Sequence, residues 1–475
     1  MSAFETEKPA RNHRAVVFVS VIIIIGLLGT AYYLAPRFEW GAPQLKLARD
    51  SDVLGLAPLE IVVTDQGAGL KSVTATLSSG GSEHTLASEQ YSPPITETKI
   101  TVALSSKLAG VKEGPAVLRV SARDGSLWNF FRGNETVIQK NLTIDITPPA
   151  LELIADDRYV NFGGVGVVVY KPSADTATSG VRIGDYFFPG YPGQIKGRPD
   201  RSIVLFAQPY NVPVDAKAVL VATDKAGNTR EMPLVYELKN VKYRKSTIAI
   251  SDNFLQGKIA PLIADVGARQ GTPKEIFLRV NKGLRKENED KIAAITSKPS
   301  PSMLWRDAFS QLSNSKVEAN FADERTYTYD NEAIDTAYHL GYDLSVTKHY
   351  PVEAANSGAV AFAGDLGIYG NTVILDHGLG LYTLYGHLSS IDVKGGDPIK
   401  QRQIVGKTGE TGLAAGDHLH YGVYLNGVAV LPVEWWDQKW INDNINPKLE
   451  GQSGEAIAES QQSKTPRKAT RKRRR

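Results

Sequence analysis

The segment that decides the fold of the C-terminal part of this chain begins at His339-Leu-Gly-Tyr-Asp343, passes through Leu384-Tyr-Gly-His387-Leu388 and ends at His418-Leu-His420. The 475 residues contain eight histidines, and six of them lie in this segment: His339, His349, His377, His387, His418 and His420. An even scatter would spread them along the whole chain. Their clustering is the first indication of a functional site.

The geometry of extended backbone predicts that several of these side chains converge. Alternate side chains of a strand share a face, so His418 and His420 are expected to point the same way. The spacing of His339 and Asp343 puts both groups on one face of an extended or a helical segment, and Gly341 favours a loop that leads into a strand. Two imidazoles and one carboxylate suit zinc, and three protein ligands leave the fourth position open, as in catalytic sites.

The three motifs are separated by two glycine-containing segments, Gly370-Asn-Thr-Val-Ile-Leu-Asp-His-Gly378 and Thr408-Gly-Glu-Thr-Gly412. In this combination they resemble the lysostaphin/LytM-type zinc metallopeptidases, and the resemblance covers residues 315–441. It implies a zinc endopeptidase that hydrolyses the peptide cross-links of bacterial peptidoglycan.

The same resemblance implies a role for each of five residues, all of which are present. It implies that Zn²⁺ is bound by His339, Asp343 and His420, and that His387 and His418 act on the substrate. One of these two histidines would assist the attacking water, and the other would stabilise charge or protonate the leaving amine. The sequence leaves open which residue does which. The chain has no His-Glu-x-x-His motif, so the histidines must replace the glutamate base of other zinc proteases.

His349, which lies in a loop, and His377, in the turn Asp-His-Gly, are predicted to be structural or to support the site. The alternative function is a catalytically silent LytM-like activator or binding module for another cell-wall hydrolase. Missing ligand residues are typical of such modules, and none is missing here. A surface adhesin would leave the histidine motifs unexplained.

Composition narrows the class of protein. The length predicts about three domains, and a hydrophobic content of 42% is ample for several cores. The net charge of +3 conceals a basic, acid-free tail at Lys464–Arg475. Such a tail is typically disordered, and the alternative is binding to an anionic polymer or lipid. No base-reading motif accompanies it, so no specific nucleic acid is expected.

The absence of cysteine excludes disulfides and thiol nucleophiles.

An apolar run at Ala15–Ala35 follows the basic residues Lys8, Arg11 and Arg14. At 1.5 Å per residue a helix of this length reaches about 31 Å, which matches the hydrocarbon core of a membrane. We therefore predict a cytoplasmic segment at 1–14, a single transmembrane helix at 15–35 and the bulk of the chain outside the cytoplasm. The family resemblance implies that this is the inner membrane of a bacterium and that the bulk of the chain lies in the periplasm or cell-wall space. The alternative is a signal peptide cleaved after Ala31.

The remaining segments complete a mainly β chain. Short strands such as Leu59–Thr64 and a repeat of Ala116–Asp124 at Ala218–Asp224 predict two tandem immunoglobulin-like β-sandwich domains, at 36–148 and 149–238, which act as spacers or binding surfaces. A helical adaptor is predicted at 239–314, with helices at Asn253–Val266 and Pro273–Thr296, the second of which has apolar residues at a loose helical spacing. Whether the adaptor covers the site is left open. An antiparallel-β zinc peptidase domain at 315–441 and a basic disordered tail at 442–475 follow.

Overall fold

The computed structural model describes residues 13–104 and 111–452, so Lys8, Arg11 and the basic tail Lys464–Arg475 lie outside the described residues. Two compact units emerge from the contacts: Met1–Pro148 with Thr223–Asn228, and Pro149–Ala222 with Thr229–Arg475. The described residues are mainly β, as the sequence predicts. The finer domain boundaries stay a prediction.

The N-terminal helix α1 spans His13–Leu34. Its stretch Val16–Leu34 has a mean hydropathy of 2.3, and its side chains are exposed. Among the described residues it is the one helix long and apolar enough to cross a membrane, by length and composition. A 3₁₀ turn, Ala35–Arg37, follows it.

The first unit is built from two sheets. The strand orders are β1-β3-β6 and β2-β8-β7-β4-β5, and buried side chains of both sheets form one hydrophobic cluster. In β3, Ile61 and Val63 are buried while Glu60 is exposed, the alternation that the sequence predicts for a strand over these residues. The elements are β1 Gln44–Leu47, β2 Val53–Leu54, β3 Leu59–Thr64, β4 Leu70–Ser79, β5 Ser82–Ile95, β6 Glu97–Val102, β7 Gly114–Asp124, α2 Trp128–Phe131 and β8 Glu135–Ile144.

Residues 149–239 form two four-stranded sheets, ordered β14-β15-β11-β9 and β13-β12-β16-β17, and a parallel pair of β10 with β18. All six residues of β15 are buried, so this strand is covered on both faces. The strands are β9 Leu151–Ala155, β10 Tyr159–Asn161, β11 Val165–Pro172, β12 Thr176–Ile183, β13 Tyr186–Pro189, β14 Tyr191–Pro192, β15 Ser202–Ala207, β16 Val219–Asp224, β17 Thr229–Pro233 and β18 Glu237–Lys239.

The two predicted adaptor helices differ in regularity. Over Asn253–Val266 the structure has short pieces: α3 Asp252–Phe254, a π turn at Leu255–Ile259 and a 3₁₀ turn at Ala260–Leu262. Pro261 lacks the N–H that would continue an α-helix, which explains the early end. The second helix forms as one run, α4 Pro273–Leu278, a π turn at Arg279–Leu284 and α5 Arg285–Ile295, after strand β19 Lys245–Ala249. Thr272 and Glu275 close a capping box at its start.

The C-terminal region is dominated by an antiparallel sheet with the order β20-β23-β31-β27-β26-β25-β29, to which β32 adds beside β31. Smaller sheets are β19-β21-β22 and β24-β30-β28. The elements are β20 Lys316–Ala319, β21 Glu324–Tyr329, β22 Glu332–Tyr338, β23 Tyr342–Ser345, β24 Pro351–Glu353, β25 Gly358–Asp365, β26 Asn371–Gly378, β27 Leu381–Leu388, β28 Ser390–Ile391, β29 Pro398–Ile399, β30 Ile404–Lys407, β31 Leu419–Leu425, β32 Val428–Val430, α6 Pro432–Trp436, α7 Gln438–Asn444 and α8 Asn446–Leu449.

Within the second unit one hydrophobic cluster runs from Ala155 to Ile445, so residues 149–239 and the C-terminal sheet share a core. A buried carboxylate on α6 reinforces this packing. Glu434 Oε1 accepts a hydrogen bond from Asn161 Nδ2 at 2.8 Å, and Oε2 accepts one from the Val165 N–H at 2.9 Å. Burial raises the pKa of Glu434 to about 8.

Candidate metal centre and active site

Neighbouring strands of the C-terminal sheet position the site. Asp343 in β23 pairs directly with His420 in β31, and on the other side of β31 the residue opposite His420 is Gly386 in β27, next to His387. His339 follows β22 and reaches the sheet through the loop at Gly341. A Cβ at Gly341 would lie 2.7 Å from the His420 ring, so only glycine allows this close approach.

Three side-chain atoms from these elements meet at one point. His339 Nε2 is 2.9 Å from Asp343 Oδ1 and 3.1 Å from His420 Nδ1, and His420 Nδ1 is 3.0 Å from Asp343 Oδ1. His339, Asp343 and His420 thus form a group that could hold a metal ion. The structure brings together the three residues that the sequence predicts as ligands.

The hydrogen bonds around the three atoms show that the group suits a cation. His339 Nδ1 is 2.9 Å from the Asn320 carbonyl oxygen, which only a protonated Nδ1 can satisfy, so the neutral ring carries its lone pair on Nε2. Nε2 of His420 is buried and has no hydrogen-bond partner, so the ring makes its polar contacts through Nδ1. Lone pairs of nitrogen and carboxylate oxygen therefore converge, and a metal ion or a proton must lie between them.

Electrostatics favour the ligand form of these groups. Burial acts to raise the pKa of Asp343, but the imidazoles of His339, His418 and His420 hold it well below its usual value. Burial lowers the pKa of His420 to about 4. A neutral imidazole and an ionised carboxylate are the states that bind a metal.

The two histidines predicted to act on substrate lie beside this centre. The ring centroids of His387 and His418 are 4.8 Å apart, and His418 Nε2 is 3.5 Å from Asp343 Oδ1. His387 Nδ1 is 2.8 Å from the Thr411 carbonyl oxygen, and His418 Nδ1 is 2.8 Å from that of Gly416. In both rings Nδ1 is therefore the donor, and Nε2 is the atom available for chemistry.

The two rings differ in charge preference. Burial and the neighbouring His418 and His420 lower the pKa of His387 to about 3, so this ring is neutral. Burial opposes the charged form of His418, but the hydrogen bond and charge of Asp343 outweigh it and raise the pKa of His418. The pair thus offers a neutral acceptor and a ring that favours the imidazolium.

A cavity of about 210 Å³ contains all five residues. Its far wall comes from residues 245–285, with the apolar side chains Ile248, Ile250, Phe254 and Phe277. The segment predicted as an adaptor therefore contributes to the walls of the site. His349 and His377 do not line the cavity: His349 is exposed, and His377 is buried with Nδ1 2.7 Å from the Ser357 carbonyl oxygen.

Arg325 is a functional candidate that the motifs do not reveal. Its Nη2 donates to Asp343 Oδ2 at 3.2 Å, which leaves Oδ1 facing His339 and His420. The side chain lies in β21, which pairs with β22 just before His339. From the sequence, Arg325 could have been found only by predicting how β21 pairs with β22.

The sequence profile of Peptidase family M23 matches residues 337–432, which include all five site residues. This region is an M23 peptidase domain. The family agrees with the resemblance that the histidine motifs carry. The match covers β23 to β32, the strands that hold Asp343, His387 and His420.

Relatives of the M23 domain occur in several bacteria. The chain is 39% identical over 95 residues to the DD-carboxypeptidase/endopeptidase Mpg of Neisseria meningitidis, a match that covers 20% of this chain and 22% of that protein. It is 32% identical over 112 residues to the peptidoglycan DD-endopeptidase ShyA of Vibrio cholerae, covering 24% and 25%. The catalytic domain of the antimicrobial peptidase lysostaphin from Staphylococcus simulans matches with 29% identity, a TM-score of 0.23, and coverage of 26% of this chain and 92% of that one. The chain thus spans about a quarter or less of the length of the two curated relatives.

Proposed function

We propose that this protein is a membrane-anchored zinc endopeptidase that hydrolyses peptide cross-links of bacterial peptidoglycan. The observation that carries the proposal is the convergence of His339 Nε2, Asp343 Oδ1 and His420 Nδ1 within 3.1 Å of one another. Two imidazoles and a carboxylate form a donor set of the kind found in catalytic zinc sites.

Zinc bound by His339, Asp343 and His420 would supply a Lewis acid for the peptide carbonyl and the attacking water. Arg325 would keep the Asp343 carboxylate in the orientation that presents Oδ1, because it holds Oδ2. The apolar wall at Ile248 and Phe254 would exclude water from the bound peptide and strengthen the polar interactions in the cavity.

The two remaining histidines divide the proton transfers in this proposal. His387 is neutral, and its Nε2 is free to accept the proton of the attacking water. Asp343 raises the pKa of His418 and so favours its imidazolium form, which would stabilise the developing negative charge and protonate the leaving amine. Their proximity, with ring centroids 4.8 Å apart, lets both act on one peptide bond.

The substrate and location rest on separate observations. One relative is named a DD-carboxypeptidase/endopeptidase and another a peptidoglycan DD-endopeptidase, which supports a cell-wall peptide as substrate. Helix α1 is apolar, exposed and long enough to span a membrane, which supports an anchor, while a signal sequence passes the same test. A catalytically silent activator is the rival function, and the complete set of five site residues favours the enzyme.

The test is digestion of purified peptidoglycan by the full chain in detergent, followed by mass analysis of the released muropeptides. We expect one new free amine at a peptide cross-link, loss of cleavage with a zinc chelator and recovery on adding Zn²⁺. Asp343→Ala should be inactive, and His349→Ala, which changes an exposed residue outside the cavity, should be active. The activator would be favoured instead if the zinc-loaded chain alone left the muropeptides intact but increased their cleavage by a second hydrolase.

A further inference from the structure

Three acidic side chains meet in the first unit, far along the sequence from the M23 domain. Glu39 lies between the 3₁₀ turn and β1, Asp65 follows β3, and Asp124 ends β7. Each offers a carboxylate oxygen, and these oxygens all lie within 4.8 Å of one another. The cluster therefore joins the segment that leaves α1 to two strands of the β-sandwich.

Asp65 is the member of the cluster whose buried carboxylate lacks a full set of hydrogen-bond partners. It is only 6% exposed, and while its Oδ1 accepts a hydrogen bond from the Gly67 N–H at 2.9 Å, its buried Oδ2 has no hydrogen-bond partner. Buried carboxylate oxygens are normally paired, because an unpaired one loses its hydration without replacement. The unpaired oxygen thus points to a ligand in the cluster.

Side chains around the cluster hold the backbone of Glu39 in place. Ser126 Oγ and Asn134 Nδ2 both donate to the Glu39 carbonyl oxygen at 3.0 Å. Asn134 also donates to Asp124, through its N–H to Oδ1 and through Nδ2 to Oδ2. A Cβ at Gly67 would overlap the Glu39 carboxylate, so the glycine leaves the room that this side chain occupies. The three carboxylates are therefore brought together by the fold.

The charge of the cluster is unbalanced. Among residues 13–104 and 111–452, no lysine or arginine forms an ion pair with any of the three carboxylates. Carboxylate oxygens held within 4.8 Å of one another repel each other as like charges. A bound cation would remove this repulsion.

We propose that Glu39, Asp65 and Asp124 form a binding site for a hard divalent cation, calcium, which fastens the segment after α1 to the β-sandwich. The donors are all oxygen, in contrast to the imidazole-rich centre of the M23 domain, and oxygen donors suit Ca²⁺. Calcium takes six to eight oxygens in flexible geometry, so bidentate carboxylates and waters can complete its shell. Sites of this kind in extracellular modules bind in the range of roughly 10⁻⁴ to 10⁻³ M.

The test compares the zinc-loaded full chain in detergent micelles with its Asp65→Asn variant and with Glu83→Gln as a control. Asp65→Asn keeps the size of the side chain but removes the charge, and Glu83 is an exposed acid at the opposite end of the β4–β5 hairpin. Equilibrium dialysis at about 1 to 5 mM CaCl₂ measures the number of bound calcium ions, because these concentrations equal or exceed the expected dissociation constant. Thermal unfolding is recorded with and without calcium. We expect Asp65→Asn to bind one Ca²⁺ fewer per chain than the wild type and Glu83→Gln.

Calcium should also raise the unfolding temperature of the wild type and of Glu83→Gln, and this rise should be smaller in Asp65→Asn. Without calcium, Asp65→Asn should be at least as stable as the wild type, because one of three like charges is gone. Equal calcium counts in wild type and Asp65→Asn would overturn the proposal. If Asp65→Asn fails to fold, Glu39→Gln takes its place: at least a tenfold loss of calcium affinity is expected, and unchanged affinity would overturn the site.

Discussion

Asp343 and His420 lie directly opposite each other in the antiparallel ladder of β23 and β31, with Asp343 Oδ1 3.0 Å from His420 Nδ1. The two residues are 77 positions apart in the chain, yet backbone hydrogen bonds of the sheet fix their separation. Two of the three proposed metal ligands therefore stand on a rigid frame, and only His339 arrives through a loop. Such a frame preorganises the site for its ligand.

The first prediction separates metal ligands from the histidines that act on substrate. Replacing Asp343 or His420 by Ala removes a ligand, so zinc content and muropeptide turnover should fall together. Replacing His387 by Ala leaves the three ligand atoms in place, so zinc should stay bound while the rate falls by about 10²- to 10⁴-fold. Elemental analysis of the purified variants, beside turnover, measures both quantities.

Circular dichroism of the same variants serves as the control for unfolding. Full activity of the His387→Ala variant would contradict the role given to this residue. Loss of zinc from His418→Ala with retention in His420→Ala would show that the two histidines of His-Leu-His have exchanged roles.

The second prediction concerns Arg325, which donates to the Asp343 oxygen that faces away from the histidines. Arg325→Met should weaken zinc binding by about 10- to 100-fold, the usual effect of losing a partner of a metal ligand. Arg325→Lys should restore part of the affinity, because the charge returns without the planar fork. Competition with a chromophoric chelator measures the affinity. Arg244→Met, at an exposed arginine, is the matched control, and equal affinities for all variants would exclude the positioning role.

Particular residues show how much of the site could be predicted from the sequence. The motif His418-Leu-His420 predicts extended backbone, and His420 lies in strand β31, Leu419–Leu425. The motifs also predict that His339, His387 and His418 meet, and all three line one cavity. Arg325 could not be found in this way, because its contact with Asp343 depends on the pairing of β21 with β22. Local patterns predict which residues share a face, whereas contacts between distant segments depend on the packing of the whole unit.

The predicted helix at Asn253–Val266 forms only in part, because Asp252–Leu262 is helical through successive α, π and 3₁₀ turns and the helix ends there. The turns of this irregular helix carry Phe254 and Leu255, whose side chains pack toward the second unit's core. Tertiary contacts there override a weak local preference, and Pro261 prevents recovery of the helix. The sequence likewise did not indicate the acidic cluster of the first unit, because Glu39, Asp65 and Asp124 come from three separate segments.

The third prediction concerns the membrane anchor. Because basic residues precede the apolar run, the chain should fractionate with the membrane, resist extraction by alkaline carbonate and expose its C-terminus outside the cytoplasm. A reporter that is active only outside the cytoplasm, fused after Arg475, should be active, and one that needs the cytoplasm should not. A mature N-terminus at Tyr32 would show that α1 is a cleaved signal sequence instead.

The last prediction follows from the buried carboxyl group of Glu434, which accepts hydrogen bonds from Asn161 and Val165. Its pKa of about 8 in the folded chain lies above the ordinary 4.5, so between these values the folded state holds a proton that the unfolded chain releases. This contribution to stability is therefore complete below pH 4.5, falls as the pH rises toward 8 by about 1.4 kcal/mol per pH unit, and is constant above. Urea unfolding from pH 5 to 9 should show a flatter profile for Glu434→Gln than for the wild type. Glu450→Gln, at an exposed acid nearby in sequence, should keep the wild-type slope, and an equal slope in Glu434→Gln would refute the assignment.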